Sequence, residues 1–135
     1  MPTILVIDDD AGMRTIARRM LERAGHSVLE AENGRAGLGV FAEHDPDLVI
    51  TDVLMPEMDG IETMRALRQL QPAARIVAIS GSRSLAQDAL RYMAKFGACA
   101  TLEKPFGCEQ LLDTVRRVLD HAVCRCSPSP GVTAS

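Results

Sequence analysis

Three short runs of aliphatic residues, at positions 4–7, 48–50 and 76–79, constrain the fold more than any other feature of this sequence. Each run is rich in β-branched residues and does not alternate with polar ones. This pattern is typical of strands that are covered on both faces, as in a parallel sheet. Two further runs, at 27–31 and 98–102, complete a set of five predicted strands.

Between these runs the apolar residues recur with a helical period. The first predicted helix would bury one face made of Met13, Ile16, Ala17, Met20, Leu21 and Ala24, and Gly25 can end it. Further helices are predicted at 34–44 after Asn33, at 61–67 after the capping residue Asp59, around 86–93 with Gly97 as a stop, and at 111–122. The order βαβαβαβαβα predicts an α/β fold with right-handed crossovers.

Composition and charge exclude several classes of function. The net charge of −3 provides no basic field for nucleic acid, and one Tyr with three Phe are too few for stacking platforms. No apolar run is long enough to span a membrane, and the first residues lack a secretory signal. We therefore expect a cytoplasmic chain that binds neither membranes nor nucleic acid directly. Its four cysteines, at 99, 108, 124 and 126, are expected to be free thiols.

The end of the chain differs in composition from the rest. After residue 123 the sequence CRCSPSPGVTAS is rich in Ser, Pro and Gly and has little to bury. We expect one domain over residues 1–123 and a disordered tail over residues 124–135.

Polar side chains gather where the predicted strands end: Asp8, Asp9 and Asp10 follow the first strand, and Asp52, Ser80 and Lys104 end or follow the third, fourth and fifth. Ligands of open α/β sheets bind beyond these carboxyl ends. Carboxylates that lie close together repel one another, and Mg²⁺ prefers carboxylate, carbonyl and water oxygens. A pocket with a metal, a lysine and a hydroxyl also suits a phosphoryl group, which a carboxylate can accept as nucleophile.

Asp10 has a second interpretation, which we prefer to metal binding. It directly precedes the first predicted helix, where its side chain can accept hydrogen bonds from the backbone N–H groups of Gly12 or Met13. For Asp8 and Asp9 the alternative is a solvated loop. The matching positions of Asp52 and Lys104 at other strand ends favour a shared site instead.

Four segments carry a resemblance to a known family: ILVIDDD (4–10), LVITDVLMPEMDG (48–60), VAISGS (77–82) and LEKPF (102–106). Together they resemble the receiver domain of response regulators, the CheY-like superfamily of bacterial two-component signalling, over residues 3–122. The resemblance implies a flavodoxin-like (βα)5 doubly wound sandwich with a five-stranded parallel sheet in the order 2-1-3-4-5. It also implies a phosphoacceptor that assists its own phosphorylation and dephosphorylation, and not a turnover enzyme.

The same resemblance implies a role for each site residue. Asp52 would accept the phosphoryl group, and Ser80 and Lys104 would contact it. Mg²⁺, or Mn²⁺ in its place, would be held by Asp8, Asp9, Asp52 and the backbone carbonyl of Leu54. The Lys104–Pro105 peptide bond would be cis, an isomer that is accessible to X–Pro bonds.

Thr101 departs from the family pattern, because relatives usually carry an aromatic switch residue there. The aromatic part of the switch cannot operate in this chain, which leaves open a pseudo-receiver that has lost phosphorylation. The intact set of acids argues against that alternative. A Mg²⁺-dependent phosphatase with Asp8 as nucleophile and Asp10 as general acid is also open, although it leaves Asp52 unexplained.

The resemblance also implies partners. The phosphodonor would be a sensor histidine kinase or a histidine phosphotransfer protein. A downstream protein would bind the face formed by the fourth helix, the fifth strand and the fifth helix. Both a monomer and a homodimer are compatible with the sequence.

Overall fold

The computed structural model describes residues 2–52, 60–80, 98–103 and 106–120. The strands are β1 (Thr3–Ile7), β2 (Ser27–Ala31), β3 (Leu48–Asp52), β4 (Ile76–Ser80) and β5 (Ala100–Glu103). The helices are α1 (Ala11–Arg23), α2 (Gly34–His44), α3 (Gly60–Leu70) and α4 (Cys108–Asp120). The helix predicted around 86–93, the capping residue Asp59 and the predicted tail lie outside the described residues, so α4 corresponds to the fifth predicted helix.

The five strands form one parallel sheet in the order β2-β1-β3-β4-β5. The predicted fold class and strand order are therefore confirmed. The strand at 27–31 has the predicted bounds, whereas β5 begins two residues later than predicted. Just before β5, the backbone N–H of Cys99 donates to the carbonyl of Ile76 at 2.7 Å, and the regular ladder begins one residue later at Ala100.

Helices cover both faces of the sheet, which explains why the strand sequences do not alternate. Along β1, Ile4 and Val6 pack with α1 and α4, whereas Leu5 and Ile7 pack with α2 and α3. All four residues are fully buried. Successive side chains of a strand point to opposite faces, so a central strand of this sheet needs apolar residues at every position.

The two ends of α1 follow capping rules. Asp10 is the N-cap residue, and its Oδ1 accepts hydrogen bonds from the backbone N–H groups of Gly12, at 2.9 Å, and Met13, at 3.3 Å. Gly25 has φ +96° and follows the last turn. The N–H groups of Gly25 and His26 donate to the carbonyls of Glu22 and Leu21, which is a Schellman motif. Both capping predictions for this helix are confirmed. The predicted buried face is wrong at two residues, because Ile16 is 47% exposed and Ala24 is also exposed, whereas Ala17 and Leu21 are buried.

Local side chains also begin α2 and α4. Asn33 accepts a hydrogen bond from the N–H of Ala36 at 2.8 Å, so that α2 starts where the sequence predicts. At α4, Gln110 accepts from the N–H of Gly107 at 3.2 Å, the return half of a capping box. Because α2 and α4 each follow a strand of the parallel sheet, their capped starts lie at the carboxyl edge of the sheet.

The cysteine prediction is wrong at one position. Cys108 is an exposed free thiol, as expected, but Cys99 is disulfide-bonded, and its partner lies outside the described residues. The expectation of free thiols considered only the chemistry of the compartment. Whether two sulfur atoms meet is decided by distance in the fold, which composition does not contain.

None of the helices in the described ranges has the length and apolar character needed to cross a membrane.

We expect the substitution Gly37→Ala to destabilise the fold. A Cβ at this position of α2 would overlap Cδ1 of Ile7 and lie 2.8 Å from its Cγ1. Overpacking a core costs about 1–3 kcal/mol, and the gain in helix propensity returns at most about 1 kcal/mol. Urea unfolding at 25 °C should therefore show a lower free energy of unfolding.

Gly39→Ala is the matched control on the same helix. Nothing lies within 4 Å of a Cβ built there. This variant should gain stability from helix propensity, by up to about 1 kcal/mol. Equal effects of the two substitutions would show that the contact between α2 and β1 is not tightly packed.

Candidate metal centre at the carboxyl edge of the sheet

The register of β1 and β3 brings acids from two distant segments together. Ile7 pairs with Thr51, so Asp8 follows β1 at the level where Asp52 ends β3. Carboxylate oxygens of Asp8, Asp9 and Asp52 all lie within 4.8 Å of one another. Asp8 is 1% exposed and Asp52 is 7% exposed, whereas Asp9 is open to solvent. The three acids therefore form a half-buried cluster with one side facing water.

Asp8 is held in place through its backbone and its side chain. Its N–H donates to the carbonyl of Ala31 at 3.1 Å, which ties it to the end of β2. Its carbonyl accepts from Nη1 of Arg14 at 2.6 Å. Its Oδ1 accepts from the N–H of Asp10 at 3.0 Å, so one carboxylate oxygen is oriented by the loop itself.

Asp10 does not join the cluster. Its Oδ1 accepts from two backbone N–H groups at the start of α1, the arrangement that the sequence predicts for an N-cap. A carboxylate at the N-terminus of a helix is also favoured by the helix dipole. The third aspartate of the DDD run is therefore explained by helix capping.

Of the other predicted site residues, the structure describes Ser80 and Thr101 but not Leu54 and Lys104. Ser80 ends β4, where its backbone pairs with Glu103 of β5. Thr101 lies in β5, is exposed, and pairs with Ala78. Leu54 and Lys104 lie outside the described residues, so their predicted roles stay predictions.

Sequence reasoning missed two residues beside the cluster, Arg14 and Glu30. Nε of Arg14 lies 3.2 Å from Oε1 of Glu30, while the Arg14 guanidinium also reaches the Asp8 carbonyl. A signal was available in β2, because Glu30 is a charged residue that lies between the apolar residues Leu29 and Ala31 of the predicted strand. That Arg14 is its partner could not be predicted, because the pairing depends on where α1 crosses β2 in the fold.

The donor set fits a hard divalent cation. All three groups are carboxylates, and no soft sulfur or imidazole ligand stands among them. Two oxygens bound to one Mg²⁺ at about 2.1 Å lie at most about 4.2 Å apart. An upper limit of 4.8 Å between the carboxylate oxygens therefore requires at most a small inward movement. The exposed side leaves room for the waters that Mg²⁺ usually keeps.

Comparison with known proteins identifies the family. The family model for the response regulator receiver domain matches residues 4–116. The chain belongs to this family. This match confirms the resemblance seen in the four sequence segments. Receiver domains are the signalling domains of two-component systems.

Relatives of this receiver domain include both short and long proteins. It is 38% identical over 120 residues to the chemotaxis protein CheY of Bacillus subtilis, covering 87% of this chain and 97% of that protein. It is 39% identical over 116 residues to the response regulator MprA of Mycolicibacterium vanbaalenii, covering 86% of this chain but only 49% of MprA. The chain therefore spans about half the length of MprA.

A solved structure supports the fold of this receiver domain directly. The crystal structure of a response regulator receiver domain protein from Clostridium thermocellum superimposes with a TM-score of 0.81. The two sequences are 30% identical, and the match covers 89% of this chain and 95% of that one.

We expect Asp10→Ala to lower the free energy of unfolding by about 1 kcal/mol, the usual cost of losing an N-cap. Asp10→Asn keeps an oxygen acceptor and should leave stability within a few tenths of a kcal/mol. Urea unfolding of both variants measures the difference. If Asp10→Asn weakened Mg²⁺ binding as strongly as Asp9→Asn, the carboxylate of Asp10 would be a ligand and not only a cap.

Proposed function

We propose that this receiver domain accepts a phosphoryl group on Asp52 from a phosphorylated histidine of a sensor kinase or phosphotransfer protein. The observation that carries the proposal is the cluster of Asp8, Asp9 and Asp52 at the carboxyl edge of the sheet. A carboxylate oxygen of Asp52 would attack phosphorus and form an O–P bond. The P–N bond of the donor would break, and its electron pair would return to the imidazole.

The residues around Asp52 have distinct tasks in this proposal. Asp8 and Asp9 bind Mg²⁺ together with Asp52 and the backbone carbonyl of Leu54. Lys104 binds a phosphoryl oxygen, and the hydroxyl of Ser80 contacts the transferred group. When bound, Mg²⁺ (or Mn²⁺) supplies positive charge that offsets the negative charge of the acids and of the phosphoryl oxygens.

The position of Asp10 disfavours the phosphatase alternative. In that scheme Asp10 would protonate a leaving group as general acid. Instead, its Oδ1 accepts two backbone hydrogen bonds at the start of α1, so this oxygen is occupied in capping the helix. The cluster also includes Asp52, for which the phosphatase scheme has no role. A phosphoacceptor therefore accounts for more of the site than an enzyme that turns over.

Phosphorylation of Asp52 would act by shifting a two-state equilibrium that changes partner binding. The output surface in this proposal is the one implied by the family, formed by the fourth predicted helix, β5 and α4. Thr101 occupies the place of the usual aromatic switch residue and is exposed on β5. We infer that transmission in this chain relies on Ser80 and the backbone around it, without rotation of an aromatic ring.

The test of the acceptor is intact mass after incubation with Mg²⁺ and acetyl phosphate. We expect the wild type to gain one phosphoryl group and Asp52→Asn to gain none, because the amide is not a nucleophile of comparable strength. EDTA should abolish the gain, since the acids need the cation to accept a further negative group.

Asp10→Asn is the matched control, because it removes a neighbouring acid that the proposal leaves out of the chemistry. It should gain one phosphoryl group like the wild type. Equal gain by wild type and Asp52→Asn would place the acceptor elsewhere. No gain by the wild type, from acetyl phosphate or from a panel of phosphorylated histidine kinases, would favour a pseudo-receiver.

We expect Asp9→Asn to stabilise the metal-free protein and to remove most of its stabilisation by Mg²⁺. Two like charges at 4–5 Å repel by about 1 kcal/mol in a water-like dielectric, and a ligand that binds only the folded state raises its stability. Urea unfolding with and without MgCl₂ measures both effects.

Asp120→Asn is the control for this experiment, because it makes the same chemical change at an exposed position at the end of α4. Its response to Mg²⁺ should equal that of the wild type. An unchanged Mg²⁺ response in Asp9→Asn would show that Asp9 is not a ligand.

A further inference from the structure

Arg14 connects the acid cluster to the body of the domain. It lies in the first turns of α1, and its Nη1 donates to the backbone carbonyl of Asp8 at 2.6 Å. Asp8 has left the β1 ladder by this point and begins the loop that carries Asp9 and Asp10. A charge-assisted hydrogen bond at this distance is among the stronger hydrogen bonds in proteins. The start of the acidic loop is therefore clamped to α1.

Glu30 holds Arg14 in the orientation that this clamp needs. Its Oε1 accepts from Nε of Arg14 at 3.2 Å, and its Oε2 accepts from Nη1 of Arg18 at 3.0 Å. The side chains of Arg14 and Glu30 are only 16% and 28% exposed. Because the pair is partly buried, salt screens it less than an ion pair on the open surface. The guanidinium is thus fixed at both ends, by a carboxylate of β2 and by the Asp8 carbonyl.

We propose that Arg14, oriented by Glu30, is a positioning residue that holds Asp8 in the geometry required for divalent-cation binding. The inference rests on the proposed metal-dependent function and goes beyond it, because it assigns a role to a residue outside the acid cluster. Residues that orient metal ligands commonly affect affinity by about 10–100-fold when they are replaced.

The charge of Arg14 and its contact with Asp8 predict opposite effects of removing Arg14 on metal affinity. The proposal can therefore be tested by one measurement. As a charge alone, Arg14 disfavours a cation near Asp8, so its removal would tighten metal binding. As a clamp, it pre-organises the Asp8 backbone, so its removal would weaken metal binding. We expect the loss of the contact with Asp8 to outweigh the loss of the repulsive charge. Arg14→Gln should therefore weaken divalent-cation binding about tenfold.

The first experiment measures Mn²⁺ binding at neutral pH from the electron paramagnetic resonance signal of the free ion. The proteins are the wild type, Arg14→Gln, Arg18→Gln and Asp9→Asn. Arg18→Gln is the matched control, because it removes the same charge from the same helix and also breaks a contact to Glu30, but does not touch Asp8. Arg18 is half exposed, so its charge is screened, and its variant should bind Mn²⁺ within about twofold of the wild type.

A metal-free readout separates positioning from general destabilisation. The N–H of Asp10 donates to the Asp8 carboxylate, so its amide chemical shift reports the Asp8 side chain. We expect this resonance to move in Arg14→Gln and to stay in place in Arg18→Gln. Adding Glu30→Gln to Arg14→Gln should cause little further loss of Mn²⁺ affinity, because Glu30 acts through Arg14.

The outcomes distinguish this inference from the proposed function. Equal or tighter Mn²⁺ binding by Arg14→Gln, with Asp9-dependent binding in the wild type, would overturn the positioning role alone. Wild-type binding that is absent or independent of Asp9 would overturn the metal site and the positioning role together. If Arg14→Gln does not fold, Arg14→Lys provides the test, because it keeps the charge but not the planar fork that reaches both partners. Its affinity should also fall, and wild-type affinity in Arg14→Lys would overturn the inference.

Discussion

The carboxylates of Asp8, Asp9 and Asp52 repel one another, and the surrounding structure must hold them together against that repulsion. Hydrogen bonds at Asp8 contribute to this: the carbonyl of Ala31 accepts from its N–H, Arg14 donates to its carbonyl, and the N–H of Asp10 donates to its carboxylate. Each contact comes from a different part of the chain. The acidic loop is therefore held by the sheet, by the first helix and by its own backbone.

The fold can tolerate this repulsion because burial of its aliphatic core contributes much more free energy than the repulsion costs. Burial of a Val, Leu or Ile side chain contributes about 1.5–3 kcal/mol, while a like-charge pair at the edge costs about 1 kcal/mol in a water-like dielectric. The apolar residues of β1 and β3 are fully buried between two helical layers. The close approach of Gly37 to Ile7 places this tight packing directly before Asp8. The tightly packed core and the acid cluster thus lie one residue apart.

Much of the fold could be predicted from local patterns in the sequence. The absence of alternation in residues 4–7 predicts a strand buried on both faces, and the structure places Ile4 and Leu5 against different helical layers. Asn33 and Gly25 mark helix ends through their own backbone and side-chain chemistry. The same holds for Asp10, whose capping role needs only the residues that follow it. The proximity of Asp8 and Asp52 was also predictable, because the carboxyl ends of parallel strands meet at one edge.

Other features depend on pairs that no local pattern connects. Arg14 and Glu30 are separated by most of α1, a short loop and most of β2, and they meet only because α1 crosses β2 at a particular register. The disulfide at Cys99 likewise depends on which sulfur the fold brings near it. The sequence by itself determined the elements, their order, their caps and the acids at the sheet edge, because those follow from periodicity and from neighbours along the chain. Only the tertiary structure decided which charged side chains contact the acidic loop, because the reach of a long side chain depends on where a distant backbone lies.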